Sequence, residues 1–159
     1  MQLRAGREIE MGIVFFPRDG SYLAFPGVFA TWLCPHGDAP NPCRKYHVSS
    51  DISCAAGVAA VALPILRELG LYHKVVRMPA DYARMQTGNQ AGKFITIYAP
   101  LNIQHDALVS RLGDALSGTP GLRPSPTIPR SRRYRHVFAE QPLDRGMFVY
   151  GGFETDPGE

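Results

Sequence analysis

Lys45-Tyr46-His47-Val48-Ser49, followed 27 residues after His47 by Lys74 within Tyr72-His73-Lys74-Val75-Val76, is the stretch from which the rest of the chain is best read. Both segments are short and mix β-branched, aromatic and basic residues, so they read as strands. Side chains alternate between faces along a strand, which puts Lys45 and His47 on one face. A lysine beside a histidine is a cation beside a proton donor, and Lys74 from a neighbouring strand is a candidate base. Together they suit the expulsion of phosphate with removal of a proton from the adjacent carbon. The same spacing also arises by chance on solvent-facing strands, so the order of the segments around the pair has to carry part of the reading.

Working outward, Ser50, Asp51 and Ser53 offer N-caps for an apolar helix from about Cys54 to Leu69, with Pro64 expected to kink or shorten it and Gly70 to stop it. Upstream, residues 12–16 read as a strand ended by Pro17, Val28 to Leu33 as another, and the proline-rich 35–44 as a loop. Downstream, Tyr72 to Met78 reads as a strand, residues 81–90 as a polar linker, and Lys93 to Tyr98 as a further strand. An amphipathic helix follows, with the stripe Ile103, Ala107, Leu108, Leu112, Ala115 and Leu116. Residues 119–129 hold four prolines and read as irregular, Tyr134–Phe138 and Met147–Tyr150 as a closing hairpin, and 154–159 as a tail. This order predicts an α+β fold: a single domain over 1–159 with a mixed or antiparallel sheet and two main helices, residues 1–28 forming an N-terminal extension.

The bulk numbers fit. A chain of 159 residues with 45% hydrophobic and 19% charged residues makes one ordinary domain with a real core. A net charge of +3 and a pI near 8.9 permit an anionic substrate without demanding nucleic acid. The run Arg130-Ser131-Arg132-Arg133-Tyr134-Arg135 is either a solvated patch or a phosphate-binding one. Three cysteines without an apolar N-terminal segment indicate reduced thiols and a cytoplasmic protein, and no run is long enough for a membrane span. Cys34, His36 and Cys43 lack a fourth ligand, so no metal and no cofactor is expected. Gly88-Asn89-Gln90-Ala91-Gly92-Lys93 is one residue short of a nucleotide phosphate loop, has Phe94 where Ser or Thr is required, and leads into a strand instead of a helix.

Three stretches taken in order carry a resemblance: Lys45-Tyr46-His47-Val48-Ser49; Tyr82-Ala83-Arg84 with Gly92-Lys93-Phe94-Ile95-Thr96-Ile97-Tyr98; and Tyr150-Gly151-Gly152-Phe153. They resemble the lyase domain of class III and class IV lanthipeptide synthetases, a relative of the bacterial effector phosphothreonine lyases. The resemblance implies a phosphoserine/phosphothreonine lyase. It would eliminate phosphate from a phosphorylated precursor peptide, leaving dehydroalanine or dehydrobutyrine, with a separate kinase and cyclase as partners and neither nucleic acid nor membrane involved. It further implies Lys74 as base and His47 as acid, with Lys45, Arg84, Lys93 and Tyr98 around the phosphate. Where the family has an arginine before its closing Tyr-Gly, this chain has Val149, and Arg145, Arg133 or Arg135 would stand in. Two other readings share the motifs: a non-catalytic peptide-binding scaffold for partner enzymes, and a host-directed effector lyase. Lys93 also reads as a surface lysine, Tyr98 as core, and His73, His105 and His136 as surface or rim histidines.

Overall fold

The structure is a computed structural model in which residues 13–24, 27–87, 90, 92–120, 137–142 and 148–150 are described. Among these residues seven strands form one sheet: β1 (Tyr22–Leu23), β2 (Phe29–Trp32), β3 (Cys43–Val48), β4 (Tyr72–Val76), β5 (Ile95–Pro100), β6 (Val137–Pro142) and β7 (Phe148–Tyr150). Their order across the sheet is β1-β2-β4-β5-β3-β6-β7. Every pairing is antiparallel. Among the described residues three helices accompany the sheet: α1 (Ala55–Glu68), preceded by a 3-10 turn, α2 (Pro79–Met85) and α3 (His105–Ala115).

One face of the sheet is the core. Ala30 and Trp32, Val75, Ile95, Ile97 and Ala99, Tyr46 and Val48 are all buried there with Val58, Ala62, Leu63 and Leu66 of α1 and Leu108, Val109, Leu112 and Leu116 of α3. On α3 the buried set includes Val109, whereas Ala107 and Ala115 are exposed. The larger β-branched side chain takes the inward position because it removes more apolar area from water. Helix α1 runs through Pro64, which lies on its exposed side along with Ala60, the residue whose carbonyl the proline cannot serve. Water can satisfy that carbonyl, so the helix is not cut short there. It ends in a paired-bond cap: Leu71 N–H donates to Leu66 O (3.0 Å) and Gly70 N–H to Arg67 O (3.1 Å). Gly70 has φ +69°, a left-handed backbone that glycine adopts without strain, with the exposed His36 side chain packed where a Cβ would otherwise point.

Several expectations are corrected. Residues 13–16 form no strand: Phe15 instead drops its ring edge-on against Phe94 (4.8 Å) and Tyr82 (6.5 Å), and its N–H donates to Arg77 O. Its apolar surface is buried by packing, not by joining the ladder, whose edge is taken by β1. Tyr22 and Leu23, within the stretch read as an extension, are that edge strand. The linker read over 81–90 begins as helix α2, because Pro79 occupies the first helical turn and Asp81 adds an acidic first-turn residue. The expected loop over 35–44 gives way to β3 at Cys43. Most of 119–135, including the arginine run, lies outside the described residues, as does the 154–159 tail. Among the described residues no helix is long and apolar enough to cross a membrane.

Candidate functional site

The antiparallel register lines up the side chains of the face opposite the helices. On β3, Lys45 pairs with Tyr98 of β5 and His47 with Thr96. On β4, Tyr72 pairs with the same Tyr98 and Lys74 with the same Thr96. Directly paired residues share a face, so two rows result: His47–Thr96–Lys74, continued by Thr31 of β2, and Lys45–Tyr98–Tyr72. His47 and Lys74 are two strand spacings apart, or ~10 Å between backbones. On the far side of β3 the backbone register pairs His47 with Phe138 and Lys45 with Glu140.

His47 and Thr96 are nearly fully buried, and the imidazole Nδ1 is 3.2 Å from Thr96 Oγ1. This contact holds the ring and directs its Nε2 edge away from Thr96. Lys74 Nζ lies 4.3 Å from the centre of the Phe29 ring and 5.7 Å from that of Tyr98, while Lys45 Nζ lies 5.6 Å from the same Tyr98 ring. Tyr72 meets Tyr98 edge-on at 5.6 Å. The result is an aromatic floor carrying two half-buried lysines, with a histidine beside them. Such a floor orients ammonium groups, and paired cations over low-dielectric walls attract an anion.

The remaining expected residues divide. Arg84 is on α2, off the sheet, 69% exposed, with its guanidinium on the buried carboxylate of Asp81. Arg77 takes the other oxygen of Asp81 at 3.2 Å. Helix α2 is tied to the end of β3 by Tyr82, whose hydroxyl donates to Ser50 O (2.7 Å) and accepts from Ser50 N–H (3.3 Å). Burial pushes the Tyr82 phenol well above its ordinary pKa, so it remains a neutral donor. Lys93 is not a surface lysine: it is only 6% exposed, just ahead of β5. Arg133, Arg145 and His136 lie outside the described residues. Among the described residues there is no cluster of three or more His, Cys, Asp or Glu that could hold a metal ion.

His73 corrects another expectation. It neighbours Lys74 in sequence and therefore points to the opposite face, where it is fully buried. Its Nδ1–H donates to Leu71 O (2.7 Å), so Nε2 accepts from the Tyr22 hydroxyl (2.7 Å), which in turn accepts from Arg67 (3.3 Å). Trp32 stacks on the ring at 5.2 Å. Burial lowers the pKa to about 4, with nearby Arg67 pushing the same way and the Leu71 hydrogen bond opposing. Thr96 was missed as a site residue. The available signal was one polar side chain between Ile95 and Ile97, in step with Tyr98.

Residues 24–155 match the family described as RamC, N-terminal domain. Among solved structures, the chain is similar in fold to one described as "Structural insight into the enzymatic mechanism of the phophothreonine lyase", with a TM-score of 0.55 and 13% identity, covering 96% of this chain and 78% of that one. No curated protein matches the chain.

Proposed function

This chain belongs to the RamC N-terminal domain family, and on that footing we propose that it is a phosphoserine/phosphothreonine lyase acting on a peptide. The observation that carries the proposal is the row His47–Thr96–Lys74 with Lys45 alongside. A phosphorylated residue lying over Thr96 would have Lys74 on one side and His47 on the other. Lys74 Nζ takes the Cα proton, the electron pair forms the Cα=Cβ double bond, and the Cβ–O bond breaks. The departing phosphate oxygen receives a proton from His47. With Nδ1 engaged by Thr96, the proton delivered is the one on Nε2. Lys45 holds phosphate oxygens as a point charge. Arg84, once turned from Asp81, is suited to grip them with two parallel hydrogen bonds, and Lys93 and Tyr98 complete the surround. The products are inorganic phosphate and a dehydroalanine or dehydrobutyrine residue.

The substrate in this reading is a precursor peptide of lanthipeptide-like biosynthesis, phosphorylated by a separate kinase and passed on to a cyclase. The fold likeness to a phosphothreonine lyase supports the reaction class, and the family match supports the biosynthetic setting. A non-catalytic scaffold is the second reading, favoured by Val149 at the position where the family has an arginine. The deciding experiment incubates the protein with a synthetic phosphoserine peptide and follows loss of the elements of phosphoric acid by mass spectrometry. Elimination by wild type but not by Lys74→Ala supports the lyase. Tight phosphopeptide binding without elimination supports the scaffold.

A further inference from the structure

Beyond Lys74, toward the β1 edge, the same sheet face opens into a depression of ≈ 420 Å³ lined by Leu23, Thr31, Leu33, Cys34, Asp38 and Tyr72, among others. It adjoins the lysine row directly: Thr31 is the cross-strand partner of Lys74, and Leu23 is the partner of Thr31. Tyr72 belongs to the neighbouring row with Tyr98 and Lys45. Leu23 and Leu33 are 53% and 55% exposed, large apolar side chains left facing water. A second, smaller depression of ≈ 200 Å³ shares Cys34, Asp38 and Tyr72 with the first and extends it to Tyr98.

We infer that this depression is a specificity groove for the phosphorylated peptide, seating an apolar side chain three residues from the residue that loses phosphate. The inference rests on the lyase reading of the sheet face. The phosphorylated residue lies over Thr96, and from Thr96 across Lys74 to Thr31 in the groove is two strand spacings, ~10 Å, which an extended peptide at ~3.3 Å per residue crosses in three residues. The occupant is a peptide because the groove is continuous with the sheet face on which the lyase reading sets the phosphorylated residue, between Lys74 and His47 with Lys45 alongside. The Asp38 carboxylate on its wall repels a second anion there, so the phosphate belongs beside Lys45 and an uncharged side chain in the groove. Leu23 and Leu33 supply apolar area, and Tyr72 is a rigid wall between the groove and the phosphate-facing surface.

The test measures binding of three fluorescent phosphothreonine peptides in a glycine–serine frame: one with no leucine, one with leucine three residues before the phosphothreonine, one with leucine three residues after it. Capped phosphothreonine amide, too short to reach the groove, serves as competitor. One leucine peptide should bind roughly tenfold tighter than the frame, the order expected for partly burying one leucine side chain. In Leu23→Ser and Leu33→Ser the advantage should vanish while competition by the capped amide is unchanged. Both positions are exposed, so folding should survive, as circular dichroism would verify. Equal affinity for all three peptides with the capped amide still binding overturns the groove and leaves the lyase reading standing. Failure of every phosphorylated probe, the capped amide included, overturns both. If the leucine variants alter only self-association in sedimentation, the surface belongs to a second copy of the chain and the inference is overturned.

Discussion

Acid should destabilise this fold through His73 in a window that can be worked out. The ring is fully buried between Trp32 and Tyr22, with Nδ1–H on Leu71 O and Nε2 accepting from Tyr22. Burial penalises the charged imidazolium and Arg67 adds a second cation nearby, against the opposing hydrogen bond to Leu71 O, so the folded pKa falls from 6.5 to about 4. The unfolded chain therefore binds more protons between those two values, so stability declines as pH falls from about 6.5 and levels off below about 4. A gap of roughly two and a half pH units at ~1.36 kcal/mol each amounts to on the order of 3 kcal/mol, most of it lost by pH 4.5. That is a sizeable share of the ~5–15 kcal/mol available to a domain. Urea unfolding at pH 7.5 and pH 4.5, followed by the fluorescence of Trp32, the single tryptophan, reads it. His73→Gln keeps an acceptor and a donor but does not titrate, so it should be less stable at pH 7.5 yet lose about 2–3 kcal/mol less than wild type on acidification. Parallel losses in wild type and variant would show that groups other than His73 carry the acid sensitivity.

Lys74→Ala should abolish elimination while leaving phosphopeptide affinity nearly intact, since a base acts mainly in the transition state, whereas His47→Ala should slow turnover by ~10²–10⁴-fold; single-turnover kinetics beside a binding titration separate the two. Because the base Lys74 has to be neutral while the acid His47 is protonated, the pH–rate profile should be bell-shaped, and a rate that keeps rising through the alkaline range would count against this pair. Thr96→Val removes the Nδ1 partner of His47 with little change of volume, and should lower kcat about tenfold with KM little changed and displace the acidic limb of the pH–rate profile; an unchanged profile would leave Thr96 as packing alone. Tyr82→Phe strands both the N–H and the carbonyl of Ser50 in a buried setting, and should cost about 1–3 kcal/mol of stability by chemical denaturation.

Sequence reading succeeded where the information is local. The pattern around Lys45 and His47 defines a strand with both on one face, the apolar run from Cys54 ends at Gly70, and the α+β alternation follows from where period two yields to period 3.6. It failed where local cues compete. Phe15 and Phe16 have strand propensity, yet burying Phe15 against Tyr82 and Phe94 settles that segment. Pro79 reads as the end of β4 and is also the start of α2. His73 was misjudged despite the alternation that correctly grouped Lys45 with His47; the same rule puts it opposite Lys74, in the core.

What the chain alone determined is which residues share a strand face, because a pleat alternates whatever surrounds it. Which strands lie side by side is another matter. The order β4-β5-β3 brings Lys74 within two strands of His47 with Thr96 between them, although 27 residues of chain separate the pair. Tyr82, on a helix 32 residues past Ser50, ties Arg84's helix to the end of β3. Neither could be read from periodicity. Strand order and helix docking are decided by closing long loops around a common core, and the energy of that closure lies in apolar area shared among α1, α3 and the sheet, not in any one segment.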